Sequence, residues 1–97
     1  MSATPSAATP VRHNIAANRF EVETDGHVSL VDYRRAGKEI TFTHTFVPPE
    51  LRGRGLAEQL VQAALNYART EQLQVIPACS YVARYIQRHA EYQSLVA

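Results

Sequence analysis

The chain has 97 residues, 45% apolar and 20% charged, the size of one domain with one small core, which excludes fibrous, collagen-like and wholly disordered readings. Ten Lys and Arg against nine Asp and Glu leave a formal charge of +1, too little for a general footprint on nucleic acid or anionic lipid, so any anion site must be local. A single cysteine, Cys79, can form neither an internal disulfide nor a clustered thiolate zinc site, and no apolar run approaches the roughly 20 residues of a membrane-spanning helix. The expectation is a soluble, cytoplasmic protein without a metal, a monomer or weak dimer.

The chain opens with MSATPSAATPVR, almost all Ala, Ser, Thr and Pro, which cannot bury enough apolar surface to offset its ordering entropy. Residues 1–18 are therefore expected as a flexible tail ahead of one domain over 19–97. The tail lacks the apolar run of a secretion signal, although an acid-free start bearing Arg and Ser also resembles an organellar transit peptide. The first nineteen residues carry Arg12 and Arg19 and no acid, whereas Phe20 to Ala97 carry eight basic and nine acidic side chains, a net of −1.

From Phe20 the pattern has period two. Phe20, Val22 and Thr24 alternate with Glu21 and Glu23, and Asp25-Gly26 is a hairpin signal. His27 to Arg35 is the partner strand, with Val28 and Leu30 on one face and Val31 and Tyr33 on the other, which predicts partial cover on both faces. Ala36-Gly37 makes a second tight turn. Lys38 to Val47 is a third strand, with Ile40, Phe42, His44 and Phe46 on one face and Thr41, Thr43, Thr45 and Val47 on the other. A three-stranded antiparallel meander results.

Pro48 and Pro49 end that strand, since neither can donate to a ladder. Leu56, Leu60, Ala63, Ala64, Tyr67 and Ala68 recur at three and four, which predicts an amphipathic helix over Gly55 to Glu71. Gln74 to Pro77 is a short strand returning beside the third, and Tyr81 to His89 a second helix. In the terminal segment Glu91 to Ala97, the side chains of Tyr92, Leu95 and Val96 can dock on the core. The fold class is α/β with a mixed, largely antiparallel sheet.

The segment that carries chemistry is FVPPELRGRGLA, Phe46 to Ala57. Gly53 and Gly55 allow backbone angles and close approach that a Cβ would prevent, so successive amides can face one concavity ahead of a helix start. Unpaired amide donors, the partial positive charge of the helix start and the guanidinium groups of Arg52 and Arg54 all favour a phosphate there. No Lys-Ser or Lys-Thr pair follows the glycines, so a nucleoside-triphosphate loop is not matched, and no third spaced glycine supports a dinucleotide fold. The alternative is a helix-entry turn with two solvated arginines.

Arg52, Gly55 and Ala57 match the Arg/Gln-x-x-Gly-x-Gly/Ala pyrophosphate loop of the Gcn5-related N-acetyltransferases, and Val47 and Pro48 stand where that family's strand-ending Val-x-Pro begins. HTFVPPELRGRGLAEQLVQAAL, then PACSYV and EYQSLV, resembles the minimal YjdJ-like subfamily from Phe20 to the C-terminus. The resemblance implies a truncated acyl-CoA N-acyltransferase fold, an antiparallel meander followed by helix, strand and helix. It also implies acetyl-CoA as co-substrate and an amine acceptor, either a small molecule or a peptide. Larger members place two helices between their first strands and add C-terminal strands that build the acceptor pocket, and this chain has room for neither.

The resemblance further implies that Thr41 to Val47 and Gln74 to Pro77 splay apart. Backbone groups near Phe46 and Val47 would then pair with pantetheine, while Arg52, Gly53, Arg54, Gly55, Leu56 and Ala57 surround the pyrophosphate. Direct attack by an amine needs a proton acceptor, an oxyanion donor and an acid for the leaving thiolate. His44, on the apolar face of its strand, is the candidate base; the alternative is a core histidine satisfied by a hydrogen bond. His13, His27 and His89 are taken as surface residues. Cys79 has three readings: covalent acceptor of the acetyl group, proton donor to the departing thiol, or small buried hydrophobe. Tyr81 is a candidate acid, with Tyr85 as its alternative, and core packing is the competing role for both. Two functions follow: an acetyl-CoA dependent N-acetyltransferase acting on a primary amine, or a CoA-binding sensor or partner module without turnover. Nucleic-acid binding through Arg52, Arg54, Arg84 and Arg88 is disfavoured by the net acidic domain.

Overall fold

Phe20 and Val22 leave the strand Arg19–Thr24 on the same face as Val31 and Ser29 of the strand His27–Ala36, because antiparallel pairing sets Phe20 opposite Val31 and Val22 opposite Ser29. That shared apolar face, covered by a helix, is the core. The computed structural model describes residues 10–96. The strands are β1 (Arg12–Asn14), β2 (Arg19–Thr24), β3 (His27–Ala36), β4 (Glu39–Phe46) and β5 (Gln74–Pro77), in the spatial order β1-β2-β3-β4-β5. The three pairs of neighbours up to β4 are antiparallel, and β5 returns parallel to β4. The β2–β3 turn has Asp25 at φ 53° and Gly26 at φ 78°, the doubly left-handed backbone of a two-residue hairpin.

Helix α1 (Leu56–Thr70) crosses from β4 to β5, and Leu56, Leu60, Val61, Ala64, Leu65 and Ala68 are its buried residues. They join Ile40, Phe42 and Val75 in one cluster. Helix α2 (Ser80–Arg88) adds Val82, Tyr85 and Ile86. The C-terminal segment docks as a 3₁₀ turn over Ala90–Leu95, where Tyr92 is buried and its hydroxyl donates to Asn66 Oδ1 at 2.9 Å. Val96 forms a single bridge with Val75 and stays 38% exposed. No helix among the described residues is long and apolar enough to cross a membrane.

Three sequence expectations need correction. Within the expected tail, residues 1–9 lie outside the described residues, but Arg12–Asn14 is a strand paired with β2, followed by a 3₁₀ turn at Ile15–Ala17. What holds β1 is one aromatic ring rather than an apolar period. His13, expected at the surface, is half-buried, stacks on Phe20 with centroids 4.0 Å apart, meets the Tyr67 edge at 4.5 Å and sits 2.7 Å from the Tyr33 hydroxyl. His89 is likewise not a free surface residue, since its ring stacks on Tyr85 at 3.9 Å and Nδ1 lies 2.8 Å from the Tyr85 carbonyl. His27 is exposed, as expected.

The second correction concerns β3. The second face is covered only as far as Leu30, which is half-buried, while Val28 is 41% exposed; Val31 and Tyr33 are buried on the first. The third is a break in β4. Tyr33 faces Phe42 while Asp32 faces His44, so Thr43 has no residue opposite it. This bulge inverts the alternation that the sequence extends through the strand. Ile40 and Phe42 point into the core, but beyond the bulge Thr45 is on the core side with Val31, while His44 and Phe46 are exposed on the opposite face.

Burial lowers the pKa of His13, so the folded state binds its proton more weakly than the unfolded chain. The contribution to stability is complete above the unfolded value near 6.5 and is lost as pH falls below it towards the lower folded value. Urea denaturation at pH 7.5 and 5.5 is expected to show lower stability at pH 5.5. In His13→Phe, which keeps the stack but cannot titrate, that difference should shrink.

Candidate functional site

The ladder between β4 and β5 ends one residue before the bulge at Thr43. The two strands pair only from Glu39–Gln74 to Phe42–Pro77. The Cys79 amide then donates to the Phe42 carbonyl at 2.8 Å, after which no β4 to β5 pairing continues. Past that point, along the diverging strand, Thr45 turns to Cys79 with its Oγ1 3.4 Å from the sulfur. One end of the gap is thus a hydroxyl and a thiol.

The other end is the loop. A 3₁₀ turn at Pro49–Leu51 buries Leu51 and carries the chain over the end of β4. Gly53 at φ 86° and Gly55 at φ 77° are both left-handed, a region that a side chain strains. A Cβ on Gly53 would meet no protein atom within 4 Å, and one on Gly55 would meet only Glu58 Oε1 at 3.9 Å. The space beside both glycines is therefore open, and only the backbone keeps it so. Gly55 caps α1 without a side-chain bond, and the first helical bond runs from the Gln59 amide to the Gly55 carbonyl at 3.1 Å. The amides of Leu56, Ala57 and Glu58 consequently have no intrahelical acceptor.

Together these elements wall a cleft of about 390 Å³ between Thr45, Val47 and Leu51 on one side and Arg52, Gly53, Gly55, Leu56, Ala57, Glu58 and Tyr81 on the other. Of the expected loop residues, Val47, Arg52, Gly53, Gly55, Leu56 and Ala57 line it, but Phe46 and Arg54 do not. Phe46 is on the open face of the sheet because of the bulge. Arg54 is turned away, with Nη1 donating to Asp25 Oδ2 at 3.2 Å. The Arg52 Nε donates to the Val47 carbonyl at 3.1 Å, so that carbonyl, expected to be free for pantetheine, already holds one bond and has one lone pair left.

His44 does not line the cleft and is exposed on the other face of the sheet, which overturns its expected place on the apolar face. Thr45, Leu51 and Glu58 line the cleft without having been singled out. Only Glu58 carried a signal, as the acid in the first turn of α1. Tyr81 is in the cleft and 36% exposed, whereas Tyr85 is buried. Burial, with the Glu58 charge adding and Arg88 opposing, raises the Tyr81 pKa, so its hydroxyl stays protonated and can donate.

Cys79 precedes α2 as its N-cap and is half-buried. Burial pushes its thiol up, but the hydrogen bond with Thr45 and the nearby amides of Val82, Tyr81 and Thr45 outweigh this and leave the pKa below its ordinary value. Among the described residues no three His, Cys, Asp or Glu side chains are grouped to hold a metal ion. The cleft offers backbone amides and one arginine at an open end, two hydroxyls and a carboxylate; Cys79 does not line it and stands behind Thr45, its sulfur 3.4 Å from that hydroxyl. Such a set can hold an anion at the mouth and move protons at the gap.

Residues 19–95 match the family model described as GCN5-related N-acetyl-transferase. Protein NATD1 of Xenopus tropicalis is 31% identical over 88 residues, covering 88% of this chain and 81% of that one. Protein NATD1 of Mus musculus is 33% identical over 96 residues, covering 90% and 87%. In the solution structure of a GCN5-like protein from Staphylococcus aureus, the fold superposes with a TM-score of 0.73 at 26% identity over 92% of this chain and 88% of that one.

The thiol environment predicts a specific response. The pH profile of Cys79 alkylation by iodoacetamide should have its midpoint below that of a cysteine in the unfolded chain. Thr45→Val, which removes the hydroxyl but keeps the shape, should move that midpoint upward.

Proposed function

The chain belongs to the GCN5-related N-acetyltransferase family, and on that premise we propose that it is an acetyl-CoA dependent N-acetyltransferase acting in the cytoplasm on a primary amine, of a small molecule or of a protein lysine. The observation that carries this reading is the cleft itself: a hollow between the end of β4 and Tyr81 of α2 whose mouth is formed by two left-handed glycines and the unpaired amides of α1. Those glycines leave room that a Cβ would fill, which fits close approach of a pyrophosphate to the backbone. Acetyl-CoA, when bound, supplies the activated acetyl group.

Within this reading, the amides of Leu56, Ala57 and Glu58 and the guanidinium of Arg52 hold the pyrophosphate. The backbone of Phe46 and Val47 orients the arm, and Arg54 contributes through its amide because its side chain is engaged with Asp25. Thr45 and Cys79 close the inner end. Tyr81, with its hydroxyl kept protonated, is the proton donor to the departing thiol. His44 follows the bulge on the open face of the sheet, so it serves as base for an amine approaching from that face. The lowered thiol pKa favours a second route for Cys79, as nucleophile that takes the acetyl group before the amine does.

Calorimetric titration with CoA and acetyl-CoA, followed by assay of thiol release across an amine panel, tests the reading. Binding with thiol release supports the transferase; binding without it supports a CoA sensor or partner module. Gly55→Val, confirmed as folded, should abolish binding because valine strains φ 77° and fills the mouth. Arg52→Ala should lose a charge-assisted contact of about 1.5–3 kcal/mol, roughly ten- to a hundred-fold in affinity. Arg54→Ala should cost much less. His44→Ala and Tyr81→Phe should lower kcat while leaving the CoA dissociation constant nearly unchanged. A folded Gly55→Val protein that binds CoA as tightly as the wild type would refute the cofactor assignment.

A further inference from the structure

Most arginines of this chain are already engaged. Arg12, Arg19, Arg35 and Arg54 pair with acids, Arg52 bonds the Val47 carbonyl, and Arg69 bonds the Glu91 carbonyl and lies over the Tyr92 ring at 4.8 Å. Arg84 and Arg88 make no ion pair or side-chain hydrogen bond among the described residues, and both are exposed. They are four apart on α2, so both project from one side of the helix. There they wall a second hollow of about 110 Å³ with Glu58, Tyr81, Tyr85 and His89. Glu58 and Tyr81 are also walls of the main cleft, so the two hollows adjoin.

From this arrangement we infer that Arg84 and Arg88 form a second anion subsite that receives the phosphomonoester on the ribose of CoA and so distinguishes CoA from dephospho-CoA. The inference rests on the cofactor reading above and deepens it. A ligand whose pyrophosphate occupies the amides of α1 carries its nucleoside at the mouth of the cleft, where Glu58 in the first turn of α1 is the wall shared with the second hollow. A monoester phosphate on that nucleoside bears close to two charges at neutral pH. Two guanidinium forks without internal partners suit it, since arginine bonds phosphate bidentately and loses little ordering freedom in doing so. The hollow has the volume of a few waters, enough for one tetrahedral group. The pair is not needed for the fold: Val82, Tyr85 and Ile86 are the buried face of α2.

Glu58 works against the site. Its carboxylate stands at the junction of the two hollows, where it repels both phosphates. It weakens CoA binding without selecting between CoA and dephospho-CoA as strongly as the arginine pair does. Glu91 lies outside the lining.

The test is calorimetric titration of the full chain with CoA and with dephospho-CoA. The wild type should prefer CoA by about tenfold or more, the size expected of a charge-assisted phosphate contact. In Arg84→Gln/Arg88→Gln, which retains good helix formers, the ratio should fall to about one while the dephospho-CoA constant changes less than about twofold. Glu58→Gln should tighten CoA several-fold. A wild type that binds both ligands equally, or a folded double variant that keeps the tenfold preference, overturns the subsite and leaves the cofactor reading intact. A wild type that binds neither ligand overturns the cofactor reading and this one with it.

Discussion

One extra residue in β4 organises the site. Because Thr43 has no partner on β3, the strand after it is rotated by one position, and its hydroxyl lies 3.4 Å from the Asp32 carbonyl across the kink. Three consequences follow from that single insertion. The stretch of β4 beyond Phe42, where pairing with β5 ends, presents Thr45 to the cleft. Thr45 is carried to the side of Cys79. His44 and Phe46 are carried to the face that no helix covers. Without the bulge, period two would put His44 in the core and Thr45 on the open face, and the inner end of the cleft would hold an imidazole instead of a hydroxyl.

The outer end depends on backbone rather than on charge. The chain has little net charge, and most of its arginines are spent on internal contacts. Anion affinity at the loop therefore has to come from amides that no carbonyl claims, held in line by two residues at positive φ. Buried Leu51 and Leu56 flank the loop and anchor it in the core, so its shape is carried by packing on both sides. Arg54 adds to this by bonding Asp25 in the β2–β3 turn, a contact that ties the loop to the far hairpin at the expense of its own access to a ligand. An exposed pair of this kind is worth little in stability; its effect is on where the guanidinium points.

The sheet is used on one face. Core residues from β2, β3 and β4 all meet α1, while Val28 and Phe46 remain about two-fifths exposed on the other side. A domain this small has enough apolar surface for one layer of helix over sheet. At its far edge, β1 is secured by the His13 ring among Phe20, Tyr33 and Tyr67. Aromatic stacking supplies there what three residues of strand cannot.

Most of the fold was legible in the residues. Alternation in Phe20 to Thr24, the Asp25-Gly26 turn, the apolar stripe of α1 and the prolines after Val47 act over a few residues and needed no tertiary information. The same holds for the glycine loop, whose φ requirement is local. Four features were decided only by tertiary structure. The bulge at Thr43 is a property of register between two strands, so a period counted along β4 alone runs straight through it and misplaces His44. The strand at Arg12–Asn14 carries almost no apolar signal and exists because His13 finds rings contributed by β2, β3 and α1. Arg54 and Arg52 look equivalent in sequence, and they part because Asp25 lies within reach of one and the Val47 carbonyl within reach of the other. The adjoining hollows at Glu58 and Tyr81 arise where α1 and α2 pack together, and the pairing of elements distant in the chain is set by the core they share rather than by either segment's own pattern.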